Sequence, residues 1–239
     1  MVPAWLTLLS ALSLIVGGLV AAFIGMDEAG HPQKMWIMAV VWPVAALFGS
    51  LLVLWFYLAH GRGAPRGEGG EPHGKGGEAP PMPVAVAKGT LHCGAGCTLG
   101  DIAAEALLTA VPAIAVALGW GTLFADKLFA AWIADYVLAF VLGIAFQYFT
   151  IAPMRGLGLR DGIVAALKAD ALSLTAWQMG MYGFMAIAYF GIFRGLFGVR
   201  LGPERLEFWF MMQIAMLVGF CTAYPVNWWL VSVGLKEKM

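Results

Sequence analysis

Between Leu91 and Glu105 the chain reads Leu-His-Cys-Gly-Ala-Gly-Cys-Thr-Leu-Gly-Asp-Ile-Ala-Ala-Glu, which on a helix sets Cys93, Cys97, Asp101 and Glu105 four residues apart along one face. Two thiols and two carboxylates on one stripe, with His92 beside the first thiol, make a donor set for a soft ion such as copper or zinc. In that reading Asp101 and Glu105 add hard oxygen or accept the displaced protons. The same two thiols could instead cycle between dithiol and disulfide, although the four-residue spacing is wider than that of thioredoxin-like motifs. Small-residue packing beside Gly94, Gly96 and Gly100 is the bland alternative for this segment.

The elements that must position these groups are set by composition. Hydrophobic residues make up 61% of the 239-residue chain and charged residues 12%, against roughly a quarter charged in soluble domains. The expected class is therefore an all-α, polytopic membrane bundle. Net charge is zero and the basic residues are dispersed, which argues against a nucleic-acid partner. The expected partners are the lipid bilayer, a metal ion and, for assembly, a second copy or a larger membrane complex.

Six segments have the length and apolarity of membrane spans: 4–25, 35–59, 102–121, 128–154, 163–193 and 206–233. The first lacks a basic leader and a cleavage site and reads as a retained helix. Residues 61–90 are dense in Gly, Pro and charged residues and read as a flexible linker. It separates an N-terminal helical pair, residues 1–60, from a four-helix membrane domain, residues 91–239. With six spans, nine Lys and Arg (Arg62, Arg66, Lys75, Lys88, Arg155, Arg160, Lys168, Lys236, Lys238) fall on one side. Five fall on the other (Lys34, Lys127, Arg194, Arg200, Arg205), which favours both termini in the cytoplasm of a bacterial inner-membrane protein.

That topology brings further polar groups to the level of the cysteines: Gln147, Tyr148 and Thr150, then Lys168, Asp170 and Ser173, then Tyr224 and Asn227. Ionisable groups at membrane depth mark functional sites by default. Asp170 is aimed into the bundle by its register with Ser173, Trp177 and Met181, and Lys168 either reaches a carboxylate on the third span or snorkels to the headgroups. Met179, Met181, Met185, Met212 and Met216 would line a path for a soft ion or fill gaps between helices. Gln213 reads as an interhelical hydrogen-bonding residue. Pro43, Pro112 and Pro225 should bend their helices.

These stretches, together with Phe146-Gln147-Tyr148-Phe149, Ala166 to Leu174, Phe208 to Gln213, Tyr224 to Leu230 and Gly234 to Met239, carry a likeness. From about residue 91 to 239 the chain resembles an uncharacterised family of bacterial integral membrane proteins, a domain of unknown function. The resemblance implies a four-helix membrane unit with the cysteine motif at its heart.

The leading expectation is thus an inner-membrane protein that binds a soft transition metal, most plausibly copper, for transport or homeostasis through His92, Cys93, Cys97, Asp101 and Glu105. A membrane redox protein, using the Cys93/Cys97 dithiol or a quinone near Tyr148 and Trp177, is the rival. A structural subunit whose polar cluster is interhelical glue is the third reading.

Overall fold

The computed structural model describes residues 1–66 and 80–237, so residues 67–79 of the expected linker lie outside it. Its elements are α1 (Ala4–Gly30), α2 (Met38–Phe56, extended by a π-helical turn Tyr57–Gly61), α3 (Met82–Ala110) and α4 (Pro112–Ala117). They are followed by α5 (Lys127–Arg155), α6 (Leu159–Ala186, continued by a π-helical stretch Ile187–Leu196) and α7 (Leu206–Ser232). No strand occurs among the described residues. Five stretches are long and apolar enough to cross a membrane: Ala4–Gly30, Met38–Gly61, Lys127–Arg155, Leu159–Leu196 and Leu206–Ser232. The fold is that of an all-α bundle, consistent with a multi-pass membrane protein.

The third expected span, 102–121, is misplaced by the structure. Helix α3 begins at Met82, twenty residues earlier, so the end of the expected linker is helical. The Gly- and Cys-rich sequence lowers α3's hydropathy, yet the helix is the most enclosed of the bundle, with buried residues running unbroken from Gly89 to Thr98. Pro112 does not bend α3 but ends it: Val111 is pushed out of helical geometry (φ −130°, ψ 76°), and Pro112 starts the short α4. The cysteine stripe therefore lies in the middle of a helix, not at its end.

Helix α2 does not run straight. At Ser50 the backbone leaves the helical region (φ 45°, ψ −125°). On a straight helix Trp42 and Tyr57 would be about 22 Å apart, but their rings are 5.5 Å apart centre to centre. Trp42 also packs on Phe56 (5.8 Å) and against Gly61. The chain therefore enters the bundle over residues 38–49, reverses at Gly49–Ser50 and returns over residues 51–61. Both ends of this hairpin sit with the end of α1: Gln33 donates to the Gly61 carbonyl (3.1 Å), the Arg66 amide donates to the Gly30 carbonyl (2.9 Å), and Asp27 receives Tyr57 and Arg62. Its tip lies at mid-height of the bundle, where the Leu47 carbonyl accepts from Gln213 (2.6 Å) and Phe48 packs on Trp177 (5.7 Å). Non-helical backbone at such depth persists only where protein encloses it or a cavity adjoins it, and Gly49 at the turn is buried.

The remaining long helices alternate in direction. The Met1 amine donates to the Phe197 carbonyl and Thr7 to Glu207, which puts the start of α1 beside the end of α6 and the start of α7. Lys236 lies against Gly89 near the start of α3, at the other end. Residues 1 and 236 thus occupy opposite ends of the bundle, whereas six crossings would have placed both termini together. The reason is the reversal in α2, an apolar stretch long enough to cross that instead turns back.

Small residues set the closeness of α3 to its neighbours. A Cβ on Gly96 would stand 2.7 Å from the Gly143 Cα, one on Gly100 would collide with the Ala139 backbone, and one on Gly94 would enter the Trp177 ring. The three glycines of the cysteine segment are therefore packing positions, as in small-residue interfaces between membrane helices.

Candidate functional site

Residues 92 and 93 point to different neighbours because successive helical positions are about 100° apart. The Nε2 of His92 faces the Thr150 hydroxyl on α5 (3.0 Å), with Phe146 edge-on beside the ring (5.9 Å), and Nδ1 has no partner among the described residues. Cys93 faces α6 and the end of α7. Its Sγ donates to Asp170 Oδ1 (2.7 Å) and lies 2.8 Å from Lys236 Nζ.

Lys236 organises the site. Its Nζ donates to Asp170 Oδ1 (2.6 Å), to Asn227 Oδ1 (2.7 Å) and to the Cys93 sulfur, with the Gly89 carbonyl at 3.5 Å. Asn227 in turn donates through Nδ2 to Ser173 (2.6 Å), and the Ser173 hydroxyl donates to Cys93 (3.5 Å). The five side chains Cys93, Asp170, Ser173, Asn227 and Lys236 form a closed ring, and the side chains of the Lys236–Asp170 pair are fully buried. Burial opposes charge on the Lys236 amine, but the Asp170 carboxylate and the Cys93 sulfur outweigh it and hold the pKa up at about 12.

The chain delivers Lys236 by a helix stop. Gly234, with φ +74°, follows the end of α7; the Gly234 amide bonds to the Val231 carbonyl (3.2 Å) and the Leu235 amide to that of Leu230 (3.0 Å). This is the Schellman pattern, which turns the chain back over the helix end; Leu235 stays exposed and Lys236 after it turns inward. Sequence reasoning counts Lys236 only among the basic residues of one membrane side and looks to Lys168 for an amine. Lys168 is exposed, as snorkelling requires. The signal available in sequence was the glycine two residues before Lys236.

Of the expected polar cluster, the ring gathers Asp170, Ser173 and Asn227. Gln147 is buried with neither amide atom partnered among the described residues. Tyr148 packs on Gly162, and Tyr224 donates to the Pro83 carbonyl (3.3 Å), so neither reaches the ring. Of the expected ligands His92, Cys93, Cys97, Asp101 and Glu105, all are buried, but among the described residues no three His, Cys, Asp or Glu side chains gather as a metal site. The stripe spreads them along about 20 Å of α3: His92 meets Thr150, Cys93 meets Asp170 and Lys236, and Asp101 meets Gln178.

Farther along the stripe Gln178 of α6 donates to Asp101 Oδ1 (3.3 Å), leaving Asp101 Oδ2 without a partner. Asp135 of α5 is an electrostatic neighbour of Asp101 and Glu105, and Glu105 of Lys127. Asp101, Asp135 and Gln178 each have a side-chain oxygen here without a partner among the described residues.

The model of a domain of unknown function, DUF4396, matches residues 84–236, more than half of the chain. The chain belongs to the DUF4396 family. The match closes on Lys236 and so contains the whole ring, beginning earlier than the resemblance read from sequence. Helix α1 and the α2 hairpin lie outside it. Neither the curated proteins nor the solved structures contain a significant match to this chain. Within the DUF4396 unit the ring joins α3, α6 and the end of α7, while α5 closes the opposite face of α3 around His92.

Proposed function

We propose that this DUF4396 protein is a multi-pass inner-membrane protein that takes up a soft cation, with copper favoured, at the ring of Cys93, Asp170 and Asn227. The observation that carries the reading is the convergence of sulfur, carboxylate and amide oxygens on the Lys236 ammonium at 2.6–2.8 Å. A thiol, a carboxylate and a carbonyl oxygen held around one positive centre are what a cation site requires, and the thiol gives it preference for a soft ion. Lys236 then serves as the resident counter-ion, displaced when the cargo binds; the Cys93 proton leaves at the same step. This donor set replaces the stripe expected from sequence. Met181 and Met185 are buried on α6 and Met216 on α7, while Met179 is exposed and takes no part.

Orientation supports the same reading. With α2 turning back, Lys34 joins the side that carries Arg62, Arg66, Lys88, Arg155, Arg160, Lys168 and Lys236, which then holds eight of the 12 Lys and Arg among the described residues. By the positive-inside rule this is the cytoplasmic side, with residue 1 outside.

The test is elemental analysis of detergent-purified protein and three variants. Wild-type protein should retain copper, Cys93→Ser and Asp170→Asn should lose it, and Lys236→Gln should hold as much or more because the competing amine is gone. Copper content unaltered by Cys93→Ser, or no soft metal in either wild type or Lys236→Gln, would make the ring an interhelical ion pair and nothing else.

A further inference from the structure

A cavity of about 270 Å³ opens between α1, the α2 hairpin, α3 and α7, away from the cysteine ring. Its walls are apolar and soft: Leu14, Phe48, Trp209, Met212 and Met216. Asp101 lines it, fully buried, with Oδ2 unpartnered. Leu47 and Phe48, which also line it, are the last residues before the hairpin reverses. The carbonyl end of the entering half-helix therefore abuts the cavity, and that end carries partial negative charge. Glu105 and Asp135 add acidic neighbours to Asp101. A buried carboxylate oxygen, a helix C-terminus and aromatic faces all favour the same occupant, a positive charge on an apolar body.

We propose that this cavity is a binding site for a small lipophilic ammonium compound, its ammonium on Asp101 and its apolar body between Phe48, Trp209, Met212 and Met216. The volume suits an aromatic amine somewhat larger than benzene, which fills an engineered cavity of roughly 150 Å³. The site is composite: Asp101 and the methionines belong to the family unit, whereas Leu14, Leu47 and Phe48 come from the segment outside the family match. The N-terminal segment thereby completes the pocket and sets the shape of what enters. This inference does not depend on the metal reading, since it uses none of the ring residues.

The test is calorimetric titration of the protein in lipid nanodiscs with 1-naphthylmethylamine and with its neutral counterpart, 1-naphthylmethanol, each corrected against empty nanodiscs. Wild-type protein should bind the amine saturably and on the order of tenfold more tightly than the alcohol. Asp101→Asn should abolish that preference, bringing the amine down to the alcohol. Leu14→Trp, which fills the cavity from α1 and leaves Asp101 intact, should weaken both ligands at least as much. Equal binding of amine and alcohol to wild type, unchanged amine binding in Leu14→Trp, or no saturable heat above empty nanodiscs would overturn the proposal.

Discussion

Lys236 and Asp170 form a buried ion pair whose removal from either side leaves an uncompensated charge. Lys236→Met and Asp170→Asn should each lower stability by about 3–5 kcal/mol, read as a fall in the midpoint of chemical unfolding in detergent. The double variant should lose much less than the sum, because neither charge remains. The pair also sets a pH limit. Lys236 is held charged in the folded protein to about pH 12, above its ordinary value of 10.5. Its stabilising contribution is therefore complete below pH 10.5 and disappears as pH rises through 12. Unfolding midpoints measured from pH 7 to 12 should show this alkaline loss in wild type and lack it in the Lys236→Met, Asp170→Asn double variant. The acid half of the pair was legible from sequence, since Asp170, Ser173 and Trp177 share a helical face. The amine was not, because a lysine beyond a helix end reads as solvated until the Gly234 turn is taken into account.

At the level of elements, the glycines govern how near α3 lies to α5. Gly100→Ala would drive a methyl group into the Ala139 backbone. It should cost about 1–3 kcal/mol through overpacking, measurable as a lower unfolding midpoint. The cysteine segment was recognisable from sequence as the centre of the four-helix unit, and its packing role was visible in the glycine spacing. Its position along α3 was not, because Gly, Cys and Thr lower hydropathy and moved the expected span twenty residues downstream. The hairpin in α2 was hidden for the opposite reason. Residues 35–59 are apolar enough to cross a bilayer, and it takes the conformation of Ser50 and the packing of Trp42 on Tyr57 to reveal that they turn back.

For the whole molecule, the reversal decides which surfaces share a compartment. Lys34 and Arg66 are both exposed and lie at the same end of the bundle. Single cysteines introduced at these positions in a Cys221→Ser background should react with a membrane-impermeant maleimide from the same side. Labelling from opposite sides would mean that α2 crosses the membrane after all. The all-α class and the long apolar helices followed from composition and periodicity, and the family unit from the resemblance carried by its motifs. The gathering of Cys93, Asp170, Ser173 and Asn227 followed in part, because helical register was enough to aim each inward. The turning of His92 toward Thr150 and away from Cys93's partners did not follow, because which neighbour each meets depends on helix rotation that one sequence leaves open.

The Gly234 turn gives the ring an order of assembly. Cys93, Asp170 and Ser173 are synthesised long before Asn227, and Lys236 emerges after all of them. During biogenesis the carboxylate of Asp170 must wait, within helices already inserted, for a counter-charge that leaves the ribosome only after α7. Closure of the ring is thus a late locking event, and helices α3, α6 and α7 reach their final fit only once that last turn has folded back.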